Sequence, residues 1–319
     1  MKNPYKLIYN LHSGRKWWAS RKPSVSLEEI RDLLTRYQIA FDEFPTQSKN
    51  HAFELGQKSK KEGYKTVIVA GGDGTVGEVA NSLVHSGIPL GILPLGSYMN
   101  IAKMLSIPRD LEQAVQLIKI GRKRKIDVGS IVSVNGEIVS KPSYFVESIG
   151  MGLEAEMHQH INAVEKGDYA AFGSMLKTLF YYYGYPVEII IDGTVIKTRA
   201  TMITIANGPY SGASFIIAPD AKLNDHRLTV SLFYMTKFEL FRYFYRILPI
   251  GSAEKRKIKM FQAKTVEIRS RNPRLVHADA RLFGTTPIQC TIVPNALDVI
   301  TGFPTSTESS LAKRTYLDP

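Results

Sequence analysis

The stretch Val67–Val76, VIVAGGDGTV, constrains this chain more than any other. The apolar run Thr66–Ala70 reads as a strand buried on both faces, the mark of a parallel sheet covered by helices. It ends in Gly71-Gly72-Asp73-Gly74-Thr75, followed by a segment that reads as a helix. Glycines let backbone N–H groups approach an anion closely. A helix starting there points its N-terminus at the same place. The loop therefore suits a phosphate at the C-terminal edge of a sheet. Asp73 beside a phosphate is electrostatically poor unless a cation intervenes. A nucleotide carrying Mg²⁺ resolves the conflict, with the carboxylate holding the metal directly or through water. The plainer reading is a tight βα turn with a helix-capping Asp.

The flanking residues repeat the same grammar. Lys6–Asn10 is a short strand, and Ser26-Leu-Glu-Glu29 is a capping box opening a helix that ends near Tyr37. Ile39–Phe44 reads as a second strand, and Asn50–Glu62 as a helix stopped by Gly63. After the glycine loop come a helix from Thr75 to His85 and a strand at Pro89–Leu93. A further helix starts near Ser97, and another is opened by Pro108 and ended by Gly121. Repeated βα units imply a doubly wound α/β domain.

Past Asp127 the pattern changes. Asn135-Gly136 and Asp192-Gly193 are hairpin turns between β-rich flanks. Strand-like runs follow at Val187–Ile191, Met202–Ala206, Leu228–Tyr234, Thr265–Arg269 and Ile288–Val293. Helical patches lie at Ala155–Phe180 and Lys237–Leu248. The expectation is an α/β nucleotide-binding domain over residues 1–127 and an antiparallel β-sandwich over 128–300.

Several classes are excluded or disfavoured. One cysteine, Cys290, rules out an internal disulfide and a cysteine-rich metal site. No apolar run approaches the roughly 18 residues that cross a bilayer, so a cytoplasmic protein is expected. No G-x-x-x-x-G-K-[ST] is present. Gly150-Met-Gly-Leu-Glu-Ala155 fits the dinucleotide pattern G-x-G-x-x-A, but it lies in the antiparallel half and reads as a close-packed turn. His158 and His160 do not share a helix face, which rejects a metal pair. The net charge of +12 favours an anionic partner, with a generally basic proteome as the plainer explanation.

The ordered motifs resemble the diacylglycerol kinase catalytic-domain family. They are GGDGT with Glu78, Pro89-Leu-Gly-Ile-Leu-Pro-Leu-Gly-Ser-Tyr-Met-Asn-Ile-Ala102, Asn10-Leu-His-Ser-Gly14, Asp127-Val-Gly129, Gly150–Ala155, Asn207-Gly208 and Ala218–Asp225. The resemblance extends along almost the whole chain. It implies ATP in the cleft between the α/β domain and the β-sandwich, Mg²⁺ as cofactor and a lipid alcohol as acceptor. By carry-over, Asn10, Ser13, Gly14, Thr46, Gly71, Gly72, Asp73, Gly74, Thr75, Gly96 and Ser97 line the nucleotide site. Asp73 and Asp127 become the carboxylates nearest metal and phosphates. Arg15 and Lys16 either offset phosphate charge or sit in a solvated turn. The segment 301–319 is expected to return to the first domain.

The family's Asp-Gly-Glu, which supplies the proton-accepting carboxylate, reads here Asp279-Ala280-Arg281. A guanidinium stays protonated and is no general base. Asp279 then either substitutes as base or is a turn residue, and Arg281 is a candidate phosphate ligand. Met99 replaces an amide in the second loop. Some members hold a structural Mg²⁺ near the position of Asp225, and His226 stands where they have glycine.

Arg122-Lys-Arg-Lys125 and Lys255-Arg-Lys257 with Lys259 are dense positive clusters. They suit peripheral docking on an anionic inner membrane face or, more plainly, solvated strand edges. No nucleic-acid motif is present, and a homodimer is left open. The stripe Phe238, Phe241, Tyr245 and Leu248 reads as core or as an acyl-chain cleft. The leading expectation is an ATP- and Mg²⁺-dependent lipid kinase. Its rivals are a nucleotide-binding member with impaired catalysis and a kinase of a soluble acceptor such as NAD.

Overall fold

The computed structural model describes residues 3–10, 25–135, 138–139, 143–165, 168, 170–212, 214–236, 238–240, 242, 257–279 and 281–302. The described residues fall into two compact units: 3–10, 25–126 and 295–302 make the first, and 127–294 the second.

The first unit alternates strand and helix: β1 (Tyr5–Tyr9), α1 (Leu27–Arg36), β2 (Phe41–Pro45), α2 (His51–Lys61), β3 (Thr66–Gly71), α3 (Asp73–Leu83), β4 (Leu90–Pro94), α4 (Asn100–Met104) and α5 (Leu111–Ile120). Its strands lie parallel in the order β2-β1-β3-β4. The C-terminal stretch adds a fifth parallel strand through Val299 opposite Leu90. Every residue of β3 and β4 is buried, as expected of strands covered on both faces. α1 packs on α5 and α2 on α3.

Local signals explain the helix ends. Ser26 Oγ accepts from Glu29 N at 3.1 Å, and Ile30, Leu33 and Leu34 turn inward. Asp110 caps α5 through Gln113 N at 2.9 Å. Gly63 follows α2 at φ +81°. Lys6, within β1, is fully buried; its Nζ donates to Leu55 O at 2.8 Å and to Glu62 at 2.6 Å, and it lies over the Phe44 ring. The buried charge is thus paired rather than stranded.

Two expectations shift here. α3 begins at Asp73, two residues before Thr75, with Gly72 as its N-cap. Asp73 and Gly74 lie in the first helical turn, where a negative side chain is favoured by the helix dipole. The return to the first unit begins at Asn295 rather than after residue 300. Gly302 N donates to Leu105 O at 3.3 Å. Residues 303–319 lie outside the described residues.

The second unit is built from β5 (Arg122–Asn135), whose first residues belong to the first unit, β6 (Ile138–Val139), β7 (Ser143–Phe145), β8 (Ser148–Gly152), α6 (Leu153–Glu165) and α7 (Ala170–Tyr181). There follow β9 (Tyr185–Ile191), β10 (Thr194–Ala200), β11 (Met202–Ala206), β12 (Tyr210–Ser211), β13 (Phe215–Ile216), β14 (Leu228–Phe233), β15 (Ile258–Ala263), β16 (Thr265–Arg269), β17 (Leu275–Ala278), β18 (Arg281–Thr285) and β19 (Ile288–Thr301). One antiparallel layer runs β15-β14-β11-β8-β17-β18, and β10-β9-β16-β19 form another. Ile149, Met151, Ile203, Ile205 and Val230 of the first layer share one core with Ile189, Val266, Ile268 and Ile288 of the second. This is the expected sandwich.

The Asp192-Gly193 turn joins β9 to β10 with φ +46° and +87°, both positive as the tight hairpin requires. Gly136 lies outside the described residues, so the other turn is not observed. The patch Ala155–Phe180 is two helices, broken around Asp168. Of Lys237–Leu248, only residues 238–240 and 242 are described, and they are helical. Phe241, Tyr245 and Leu248 lie outside the described residues.

Gly150 and Gly152 are packing glycines. A Cβ on Gly150 would overlap His277 Nε2 and Glu154 Oε2, and Gly152 holds φ +82° where β8 meets α6. His277, buried, lies 3.3 Å from Glu154, and its Nδ1 is 3.2 Å from Asp279 O. Burial pulls the ring's pKa down, but Glu154 and Asp279 hold it above its ordinary 6.5. A raised value stabilises the fold below the unfolded-state pKa and loses that contribution as pH climbs through the folded one. The stability difference between the native protein and His277→Gln is therefore expected to be largest below about pH 6.5 and to shrink above it, by up to about 1.4 kcal/mol per pH unit. Urea unfolding across that range checks this, and a difference independent of pH would rule the ion pair out.

Candidate active site

In the first unit, β1 connects through α1 to β2 on one side, whereas β3 connects through α3 to β4 on the other. The chain diverges between the C-terminal ends of β1 and β3, the place where open α/β sheets bind ligands. Asn10 leaves β1 there, and Gly71-Gly72 leave β3. The Asn10 amide donates across to Thr75 Oγ at 3.3 Å. Thr46 leaves β2 beside them, its N–H donating to Tyr9 O at 2.9 Å. The structure thus gathers Asn10, Thr46, Gly71, Gly72, Asp73, Gly74, Thr75, Gly96 and Ser97 at one edge. Ser13, Gly14, Arg15 and Lys16 lie outside the described residues.

Two glycine turns meet at this edge. A Cβ on Gly96 would lie 2.7 Å from Gly72 Cα and 2.7 Å from Met99 Sδ, so only glycine fits. Gly96 N donates to Met99 Sδ at 3.1 Å, a role the sequence did not suggest for that methionine. Ser97 O accepts from Arg109. The Gly72 cap offers no side chain to the first amides of α3, which leaves them for an anion.

Asp73 caps a helix, but not its own. Its Oδ1 accepts from Ile101 N at 3.2 Å, and the amides of Met99 and Asn100 also point to it. Burial raises its carboxyl above the usual range; those amides and Lys103 pull it back in part.

The other three carboxylates lie in the second unit. Asp127 is fully buried, and both its oxygens are 3.1 Å from His226 Nδ1; His226 N donates to Oδ2 at 2.8 Å. Asp225 Oδ1 accepts from Arg227 N at 3.1 Å. Asp279, at φ +49°, accepts from the N–H groups of Val146, Glu147 and Ser148 at 3.0, 2.8 and 3.3 Å. It behaves as the turn residue rather than as a free base. Asn207 joins these pieces: its buried amide donates to Asp127 O at 3.0 Å and to Val146 O at 2.9 Å. In the sequence Asn207 stands only as part of a motif, with no role of its own. Burial of an amide in a chain of backbone bonds is not visible in sequence.

No group of three His, Cys, Asp or Glu side chains that could hold a metal occurs among the described residues. For the Mg²⁺ that travels with a nucleotide this is no obstacle, since that ion takes one or two carboxylates plus phosphates. Asp73 fits such a role. Near Asp225 the carboxylates already have partners: Asp225 Oδ1 accepts from Arg227 N, and both oxygens of Asp127 lie against His226.

Residues 4–131 match the diacylglycerol kinase catalytic domain model, and residues 147–301 match the YegS C-terminal NAD kinase beta sandwich-like domain model. The chain thus carries a diacylglycerol kinase-like catalytic domain followed by a YegS-type C-terminal β-sandwich domain. It is 24% identical over 311 residues to proteins of Staphylococcus aureus strains MSSA476 and MW2 that are provisionally named lipid kinases, covering 94% of this chain and 99% of theirs. Two solved structures from Bacillus anthracis strain Sterne share the fold. One, titled a diacylglycerol kinase, has TM-score 0.69 at 20% identity. The other, provisionally titled so, has TM-score 0.74 at 24% identity. Each comparison covers 94% of this chain and 97% of theirs.

Two measurements test the site. Gly96→Ala is expected to weaken ATP binding at least about tenfold, because its Cβ meets backbone that cannot swing aside; calorimetric titration that finds native affinity would reject the close approach. A chelator is expected to leave the melting temperature of the ligand-free protein unchanged, whereas His226→Gly lowers it; a fall on chelation alone would show that a structural metal is present.

Proposed function

We propose that this protein is an ATP- and Mg²⁺-dependent kinase that phosphorylates a hydroxyl of a lipid alcohol such as diacylglycerol or a sphingoid base. The observation that carries the reading is the crevice between β1 and β3, where Gly72 and Gly96 bring backbone amides together at the open N-terminus of α3. That arrangement suits the phosphates of a nucleotide. The names borne by the full-length relatives support a lipid acceptor. No helix among the described residues is long and apolar enough to cross a membrane. The enzyme would act from the cytoplasm, visiting the inner membrane face.

In the reaction, the acceptor oxygen bonds to the γ-phosphorus as the bond to the bridging oxygen breaks, and ADP leaves. Glycine-loop amides orient the phosphates, and Asp73 is fixed by the start of α4. Bound Mg²⁺ would neutralise charge on the phosphates. Arg281 and the committed Asp279 leave no carboxylate at the family's base position. A loose phosphoryl-transfer transition state demands little of a base, so the hydroxyl proton passes to water.

The same two residues favour a second reading, a nucleotide-binding member with impaired catalysis. ATP consumption with Mg²⁺ across diacylglycerol, sphingosine, ceramide and NAD separates the readings. Turnover on one lipid is expected, reduced by about a hundredfold or more in Asp73→Ala. ATP binding without turnover would favour the second reading, and Arg281→Glu would then raise the rate. Turnover of NAD alone would overturn the lipid acceptor.

A further inference from the structure

The end of α5 presents an unusual surface. Ile120, the last residue of that helix, is 72% exposed. Lys119 precedes it, and Arg122, Lys123, Arg124 and Lys125 follow after Gly121, all exposed. Alternate residues of a strand point to opposite faces, so β5 opens with cations on both faces. The turn that presents them is fixed in place. A Cβ on Gly121 would overlap Leu117 O and come within 2.8 Å of Ile300. Asp110 anchors the other end of the helix, and Ala114, Val115 and Ile118 bury its inner face. Lys119 Nζ is tied to Gln38 O at 3.0 Å, and Lys125 lies 3.9 Å from Asp298.

Cations at a helix C-terminus complement its dipole, and charges on a strand guard an edge. Neither need accounts for a large apolar side chain held outward in their midst. An apolar residue framed by lysine and arginine matches the boundary of an anionic bilayer, with the apolar group entering the acyl region and the cations meeting head-group phosphates.

We infer that Lys119–Lys125 is the membrane-docking surface of this protein, with Ile120 as its inserted anchor and an anionic phospholipid bilayer as its partner. The inference rests on the lipid-kinase reading only for its purpose. The contact itself is independent of catalysis and confined to the first unit.

The test uses the full chain and sedimentation with vesicles of phosphatidylglycerol and phosphatidylcholine, against vesicles of phosphatidylcholine alone. Arg122→Gln, Lys123→Gln, Arg124→Gln and Lys125→Gln are combined in one variant. The control combines Lys58→Gln, Lys60→Gln, Lys61→Gln and Lys65→Gln, exposed positions elsewhere on the same unit that remove the same charge. The native protein is expected to bind the anionic vesicles in a salt-sensitive manner. The patch variant should lose about fivefold in affinity per cation, and the control much less. Ile120→Ser should weaken binding and leave its salt dependence intact. Equal losses in patch and control variants would overturn the inference, since only net charge would then matter. So would binding to a short RNA with none to vesicles. Phosphorylation of a water-soluble short-chain diacylglycerol separates the two readings. The patch variant should keep it, and vesicle binding through the patch in a protein without kinase turnover would leave this inference standing and remove the function proposed above.

Discussion

Between Gly72 and Gly96 there is room for hydrogen atoms and little else, and the first unit is arranged around that contact. The end of β3 and the turn after β4 must come together for the α3 amides to face the crevice, and a methyl group on Gly96 would push them apart. Neighbouring contacts enforce the approach. Leu95 N donates to Gly71 O at 3.0 Å, and Met99, itself held at φ +53°, places its sulfur under Gly96. Asp73 then fastens the start of α4 to the start of α3. A loop of glycines is flexible in isolation; here it is fixed by the groups packed around it, which is what pre-organised anion binding requires.

The second unit meets a different constraint, the satisfaction of buried polar groups. Asn207, Asp127 and Asp279 are buried; the Asn207 amide nitrogen donates to backbone carbonyls, Asp279 accepts backbone N–H groups, and Asp127 meets His226. Losing one partner of such a set costs more than the bond is worth, because the other is left desolvated. The motif residues of this unit are therefore held in place by the architecture, whatever chemistry they also serve.

The α/β half was legible because its signals are local. A fully apolar strand, a capping box and glycines at helix ends depend on residues within a few positions, and β3, α1, α2 and the Asp192 hairpin appear where expected. Strands with polar residues on an exposed face were missed. β10 alternates exposed and half-buried residues, and β15 carries Lys259 and Gln262, so neither stands out as an apolar run. The start of β5 was hidden by its four basic residues. At the candidate site, the glycine loop after β3 could be read from its own residues, whereas the placing of Asn10, Thr46 and the Gly96 turn beside it came from the family resemblance. The pairing of Asp127 with His226 could not, since those residues are 99 positions apart and nothing in a sequence shows which side chains lose water together.

Four carboxylates were candidates for metal or proton chemistry, and the fold treats them unequally. A carboxylate has about four lone-pair sites. Asp279 gives three to backbone amides and is buried among them. Asp127 gives both oxygens to one histidine residue. Asp225 serves its own turn. Asp73 also accepts backbone amides, yet it alone lies at an edge where phosphate is favoured by the glycines beside it. A cation brought in on a nucleotide would meet a carboxylate already oriented and partly desolvated. Among the four, Asp73 is therefore the carboxylate whose position best suits a cation carried by a nucleotide.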